Sequence, residues 1–543
     1  MGSFFSGNFT NNPGLGLRPR STPMNRLLVM GEVLLRVGVI LVPIACLAGT
    51  FLITADTDEA WILFGVRGLV EHGHYSAESP FISAETTAGL HTVLAALLHM
   101  IGDGRIEVIR LLSVVSIAAL LFTLWQWALR FNIRSPHCWL VAAAPLLVPG
   151  TLMFGAQAYG TVLAFLLVTV GLMLWGELEH GTWRRRLLAG LLVGTAAATR
   201  PDCVFALFAP LAAVLLTRRN RTHLLDSMLV MIIGIFVFLF QAYLLWMFSV
   251  NVLWKPEAYA DWNPFSIPFG YLIPLRLAYW SIGQSFMPFA LAVLISLGWS
   301  RARLGINKPY GIDALLAFAW LALLAWLFQA PIPHLRYLWS ALAAFASVGM
   351  FTLALLLQAQ TRHSGNVLIL GIALLAMGYL DGTRSFLHGE SDILSWQLAR
   401  QTSYSLEYGP FRHIQFQRAM VKRLLQIPPD EPIATIGLNT ALSFLTRRTI
   451  VPVQAYYPEK GKDDFVTWRP ATANPPVRPR WLVSTPIVNN FPNSYMSHQL
   501  YNWIKSNCRV ADRQGPYVLY EVFGSFPEKP DIFTLDRWGP NLP

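Results

Sequence analysis

Three carboxylates fall within four residues at Asp56-Thr57-Asp58-Glu59. Like charges this close raise one another's pKa unless a cation neutralises them. Such a group can serve as a general base for a hydroxyl within reach. Asp56 and Asp58 could instead hold a divalent metal through oxygen, with Glu85 adding a further ligand. The bland alternative is a solvated acidic loop end. Arg200 lies in Thr199-Arg200-Pro201-Asp202. Its guanidinium can clamp a phosphate with two hydrogen bonds, or pair locally with Asp202. His334-Leu335-Arg336-Tyr337 offers a second guanidinium and a phenol that can donate a hydrogen bond or stack on a ring. The alternative there is Arg336 snorkelling to an interface, with Tyr337 in an aromatic belt. Asp261 sits in an aromatic-rich run, 251–270, which either flanks a ligand or lines an interface.

The elements that must position these residues are set by composition. The chain has 543 residues, 54% hydrophobic and only 13% charged. A soluble domain carries about 25% charged residues. A soluble enzyme, a disordered chain and a secreted disulfide scaffold are excluded. Thirty-two of the charged residues crowd into 381–543. The division is therefore a disordered cytoplasmic N-terminus over 1–31, a transmembrane domain over 32–380, and a water-soluble domain over 381–543. Four cysteines provide neither a disulfide framework nor zinc spacing.

Runs of apolar residues near the bilayer-spanning length predict eleven spans. They lie at about 32–54, 105–128, 137–151, 155–175, 187–199, 202–217, 226–249, 273–299, 312–330, 335–357 and 366–380. With the N-terminus in the cytoplasm, fifteen Lys/Arg residues of the flanking loops fall inside and seven outside, as the positive-inside rule asks. The net charge of +11 thus reflects topology, and no nucleic-acid partner is expected. An odd span count places the C-terminal domain outside the cytoplasm. The outer loop 55–104 contains an apolar stretch, 88–102, predicted as an amphipathic helix at the outer interface. Spans five and six are short, so their tip at Arg200 is predicted to lie at some depth in the membrane, where a charge needs a partner or a wet cavity. In the C-terminal part, 413–426, 439–448 and 498–506 read as helices. Runs near 432–438, 449–454, 480–486 and 516–523 read as strands, which together predict a small α/β domain.

Under this topology Asp58, Glu85, Arg200 and Arg336 all share the outer side. Carboxylate and arginines beside a lipid phase are what transfer from a lipid-phosphate donor needs.

Four stretches carry a family resemblance. They are ADTDEAWILFGVRGLVEHGHYS (55–76), AETTAGLHTVLAALLHMIGDGRIEVIRLLS (84–113), AAATRPDCVFALFAPL (196–211) and PHLRYLWSAL (333–342). In content and order they resemble the GT-C superfamily of membrane glycosyltransferases. The pattern is most similar to protein O-mannosyltransferase-like enzymes and the aminoarabinose transferases that modify lipid A. The chain departs from that pattern at Thr86-Thr87, where Lys-Pro is common, and at the hairpin tip, where Lys-Gly-Pro is common. The resemblance implies a polytopic helical fold and an inverting transferase that uses a polyprenyl-phosphate sugar as donor. The acceptor would be a lipid, glycan or protein. Asp58 would be the base, supported by Asp56 and Glu59. Arg200, Arg336 and Tyr337 would hold the donor phosphate. Glu85, His334 and Asp261 would contact substrate, and Asp56, Asp58 and Glu85 would be the ligands of any divalent metal. No other cofactor is implied. The expected location is a bacterial inner membrane, with the endoplasmic reticulum as the alternative. Competing functions are a transporter or flippase of lipid-linked sugars, which often shows internal repeats, and a polysaccharide ligase or polymerase.

Overall fold

Long apolar helices with one buried and one exposed face dictate the architecture. The computed structural model describes residues 23–52, 57–73, 89–134, 137–148, 150–176, 183–217, 221–247, 310–329, 335–359, 410–436, 440–448, 450–452, 479–484 and 498–524. Helix α1 (Pro23–Leu52) starts ahead of the predicted boundary at 32. It buries Leu35, Val39, Val42 and Cys46 along one seam and exposes Val33, Leu34, Val37, Ile40 and Ile44. That spacing is the 3.6-residue stripe of a packed helix. Its outward face is also apolar, as a helix in lipid requires. Glu32–Leu52, Ile106–Arg130 and His223–Leu244 are each long and apolar enough to cross a bilayer.

Next come α2 (Thr57–His72), α3 (Leu90–Ile101) and α4 (Ile106–Arg130). The predicted outer loop therefore contains a full helix, α2. Its Asp58, Glu59, Arg67 and Glu71 dilute the apolar signal that would have revealed it. The predicted span over 137–151 is not one continuous helix. It divides into α5 (His137–Ala142), a 3-10 turn (Ala144–Leu147) and α6 (Thr151–Ala156). Pro145 cannot donate a backbone hydrogen bond, and Gly150 adopts a left-handed φ of 78°. Helices α7 (Thr161–Gly176), α8 (Trp183–Thr199), α9 (Ala209–Thr217) and α10 (Arg221–Met247) follow, with a 3-10 segment at Pro201–Leu207 between α8 and α9. The predicted spans 273–299 and 366–380 lie outside the described residues. The bundle continues with α11 (Tyr310–Gln329) and α12 (Leu335–Ala359).

Helices α8 and α10 touch backbone to backbone. A Cβ on Gly194 would lie 2.4 Å from the carbonyl oxygen of Gly234. Small residues allow this approach, and packing rather than hydrophobic exclusion drives it in lipid.

The C-terminal part begins with α13 (Pro410–Leu425). It builds a five-stranded sheet from β1 (Ile433–Ile436), β2 (Ile450–Pro452), β3 (Trp481–Ser484), β4 (Cys508–Gln514) and β5 (Tyr517–Val522), with α14 (Thr440–Thr446) and α15 (His498–Asn507) between strands. The order is β2-β1-β3-β5-β4. Strand β1 runs parallel to β2 and β3, whereas β5 runs antiparallel to β3 and β4. Met420, Leu424, Ile433, Val483 and Leu519 form its own core. Helix α14 faces both ways. Leu442 belongs to that core, whereas Ala441 and Phe444 belong to the core of the helical bundle.

Candidate functional site

The first turn of α2 carries Asp58 and Glu59, and Glu59 is wholly buried. Arg110 on α4 meets it with a bidentate pair: Nε donates to Oε1 at 2.8 Å and Nη2 to Oε2 at 2.6 Å. The backbone N–H of Ala158 donates to Oε1 at 2.7 Å, and Arg110 Nη1 donates to the Thr50 carbonyl at 2.7 Å. This ion pair thus ties together the end of α1, the start of α2, the start of α4 and the turn before α7. Both oxygens of Glu59 are engaged, so the structure gives it an architectural role beside Asp58. Asp58 lies in the same helical turn, but its side chain, like all of Asp56, is outside the described residues.

Arg200 caps the 3-10 segment at the hairpin tip and is 1% exposed. Its Nε donates to Asp202 Oδ1 at 2.8 Å, which is the local pairing. Asp202 also accepts from Ser340 on α12, through Oδ2 at 2.7 Å. Arg336 and Tyr337 lie in the first turn of the same helix, with Arg336 four residues before Ser340. Four residues are about 6 Å of helix. The Asp202–Ser340 bond therefore brings the tip to within about one turn of the Arg336 backbone. The side chains of Arg336 and Tyr337 are not among those described. Glu85, Asp261 and His334 also lie outside the described residues.

Aromatic packing joins the two clusters. Tyr159, next to Ala158, packs edge-on against Phe154 with centroids 5.8 Å apart, and Phe154 packs on Trp339 at the same separation. The indole N–H of Trp339 donates to Thr151 at 3.1 Å, and Ser340 is the next residue. A contact path runs from Glu59 through Ala158, Tyr159, Phe154 and Trp339 to Asp202 and Arg200.

His91 on α3 was not singled out in the sequence. It is fully buried, and among the described residues neither ring nitrogen has a hydrogen-bond partner. Burial, and secondarily the charge of Arg200, lower its pKa from 6.5 to about 4, so the ring is neutral. The available signal was the run His91-Thr92 and His99 within an apolar stretch, where polar residues at helical spacing mark an inward face. Among the described residues, no group of three or more His, Cys, Asp or Glu side chains gathers as a metal site.

Helices packed around the buried face of α2, a short hairpin with a basic tip, and a C-terminal α/β part make up the fold. Three solved structures share it. ArnT from Cupriavidus metallidurans bound to undecaprenyl phosphate matches with a TM-score of 0.58 and 13% identity, covering 90% of this chain and 97% of that one. The apo state of the same protein gives 0.55 and 14%, covering 91% and 98%. The Archaeoglobus fulgidus oligosaccharyltransferase, in complex with Zn and sulfate, gives 0.51 and 13%, covering 84% of this chain and 69% of that chain. No family model matches the chain, and no curated protein matches it by sequence.

Proposed function

We propose that this chain is a membrane glycosyltransferase that moves a sugar from a polyprenyl-phosphate donor to a hydroxyl on a lipid, glycan or protein acceptor. The observation that carries the proposal is the buried Arg200, tied through Asp202 and Ser340 to the helix that bears Arg336. A buried guanidinium fixed this firmly is suited to an anionic headgroup entering from the lipid. The fold shared with a protein bound to undecaprenyl phosphate supports the same donor class.

In the proposed step the acceptor oxygen attacks the anomeric carbon while Asp58 takes the hydroxyl proton. The bond from that carbon to the phosphate oxygen breaks, and the polyprenyl phosphate leaves with the bonding pair. Attack opposite the leaving group inverts the anomeric centre. Arg200 and Arg336 stabilise the charge that grows on the phosphate, with Tyr337 as a further donor. Charge stabilisation of this kind is often the largest catalytic contribution. Glu85, His334 and Asp261 are assigned to substrate contact. Asp56, Asp58 and Glu85 are the candidate ligands of a divalent ion, if the reaction uses one. We place the site on the extracytoplasmic face of a bacterial inner membrane, with the N-terminus inside and the C-terminal part outside.

The test is sugar transfer by purified protein in lipid nanodiscs, supplied with polyprenyl-phosphate sugars and scored by mass analysis of the product. Asp58→Asn should lower turnover by about 10³-fold or more, the scale of losing a general base and its positioning, without lowering the unfolding temperature. Turnover like that of the wild type in this variant rejects Asp58 as the base. Flux of a lipid-linked sugar across the membrane with no covalent product rejects the transferase.

A further inference from the structure

Helix α3 shows a reversed amphipathic pattern. Its polar residues His91, Thr92 and His99 point inward, and Val93, Leu97, Met100 and Ile101 are exposed. Its first residues press into the angle between α8 and α10. Gly89 has a φ of 59°, and a Cβ there would lie 2.5 Å from Gln241 Oε1 and 3.3 Å from the Ala198 Cβ. Ala198 is two residues before Arg200. Gln241 Nε2 donates to Thr195 Oγ1 at 2.9 Å, while Oε1 has no partner among the described residues. Among the described residues three polar atoms thus lack partners at or beside the start of α3: both nitrogens of His91, and the oxygen of Gln241 that faces Gly89, two residues before His91.

Buried polar atoms in folded proteins are nearly always satisfied, so a cluster of exceptions marks a place for something else. The chemistry of the three atoms selects what that is. An ionised phosphate only accepts hydrogen bonds, and so does Gln241 Oε1; the two would repel. A neutral imidazole has one donor and one acceptor. A hydroxyl group both donates and accepts, and two or three on one ring would satisfy the whole set. Turning the Gln241 amide over would present donors instead, and hydroxyls satisfy those as well.

We propose that His91 and Gln241 form a subsite that reads the hydroxyl groups of the donor's sugar, next to the anion-binding Arg200. This rests on the donor class proposed above and adds to it a division of labour: Arg200 for the phosphate, His91 and Gln241 for the sugar.

The test uses the full-length protein in nanodiscs and measures affinity for two kinds of lipid. One is undecaprenyl phosphate alone. The other is undecaprenyl phosphate bearing glucose, mannose, galactose, N-acetylglucosamine or aminoarabinose. Wild type should bind at least one glycosylated lipid about tenfold or more tighter than the bare one, the yield of one or two buried hydrogen bonds. His91→Leu and Gln241→Leu should each erase that preference and leave affinity for the bare lipid within about twofold. Arg200→Ala should weaken both kinds of lipid alike. Should His91→Leu misfold, His91→Asn and Gln241→Leu make the same comparison. A wild type with no preference for any of the sugars overturns the subsite, as do variants that keep the preference or lose both affinities equally. Failure of the wild type to bind either kind of lipid overturns the donor class itself, and the subsite with it.

Discussion

Arg110 and Arg200 are both 1% exposed, yet their surroundings differ in kind. Around Arg110 the chain supplies a carboxylate with both oxygens engaged, a backbone carbonyl and, on the carboxylate, a backbone N–H. The partners of Arg200 include Asp202, which is shared with Ser340, while nearby His91 and Gln241 keep polar atoms that find no partner among the described residues. A closed set of partners marks a joint that holds helices together. An open set marks a place where the protein awaits something it does not contain.

Breaking the joint should have the largest effect. Glu59→Ala leaves the Arg110 charge buried without its carboxylate, and loss of one partner of such a pair costs about 3–5 kcal/mol. The expected result is a steep drop in unfolding temperature and yield in detergent. Glu59→Ala and Arg110→Met together should recover part of that loss, because the uncompensated charge is gone. Arg200→Ala should behave in the opposite way. Transfer should fall by about 10²–10³-fold, the scale of losing one stabilising donor, while the unfolding temperature falls less than for Glu59→Ala. Equal stability losses in the two variants would erase the distinction between them.

A smaller effect is expected where the C-terminal part docks. Arg67 Nη2 on α2 donates to the Phe444 carbonyl at 2.8 Å, and its guanidinium lies 3.9 Å from the centroid of the Phe444 ring. Phe64 meets the same ring edge-on at 5.5 Å. Arg67→Ala should weaken docking by about 1–2 kcal/mol. Faster proteolysis within 440–524, with the helices intact, would register it.

The smallest effect is a pH dependence from His91. Its folded pKa of about 4 lies below the unfolded value of 6.5, so the unfolded chain takes up the proton first. Stability is therefore full above about pH 7 and declines as pH falls from about 6.5 towards 4. The expected decrement is about 1 kcal/mol at pH 6 relative to pH 8, absent in His91→Leu. An unchanged pH profile in that variant would assign the loss to other groups.

Much of this contrast was hidden in the sequence for physical reasons. Apolar length announces a helix such as α4, whose 25 residues carry few charges. Arg200 at a short hairpin tip was legible because a charge between two apolar runs has few places to go. The partnership of Glu59 with Arg110 spans 51 positions and leaves no local trace. The inward turn of His91 was obscured because in lipid the apolar face of a helix points out, reversing the inference made for a soluble protein. Strand β4, CRVADRQ, is an edge strand rich in charge and was missed for that reason, whereas the apolar runs around β1, β3 and β5 were plain. The break at Pro145 and Gly150 was readable from residue types, but uniform hydrophobicity masked it.

The position of Phe444 has a consequence for biosynthesis. This ring and Ala441 join the hydrophobic core of a bundle whose described helices end at residue 359. Synthesis runs from the N-terminus, and segments fold as they emerge. The face of α2 that carries Phe64 and Arg67 is covered by Phe444 only after the last quarter of the polypeptide has been made and has folded back. Maturation of the helical bundle therefore waits on the ribosome finishing, and a chain halted before residue 440 would be inserted but never complete.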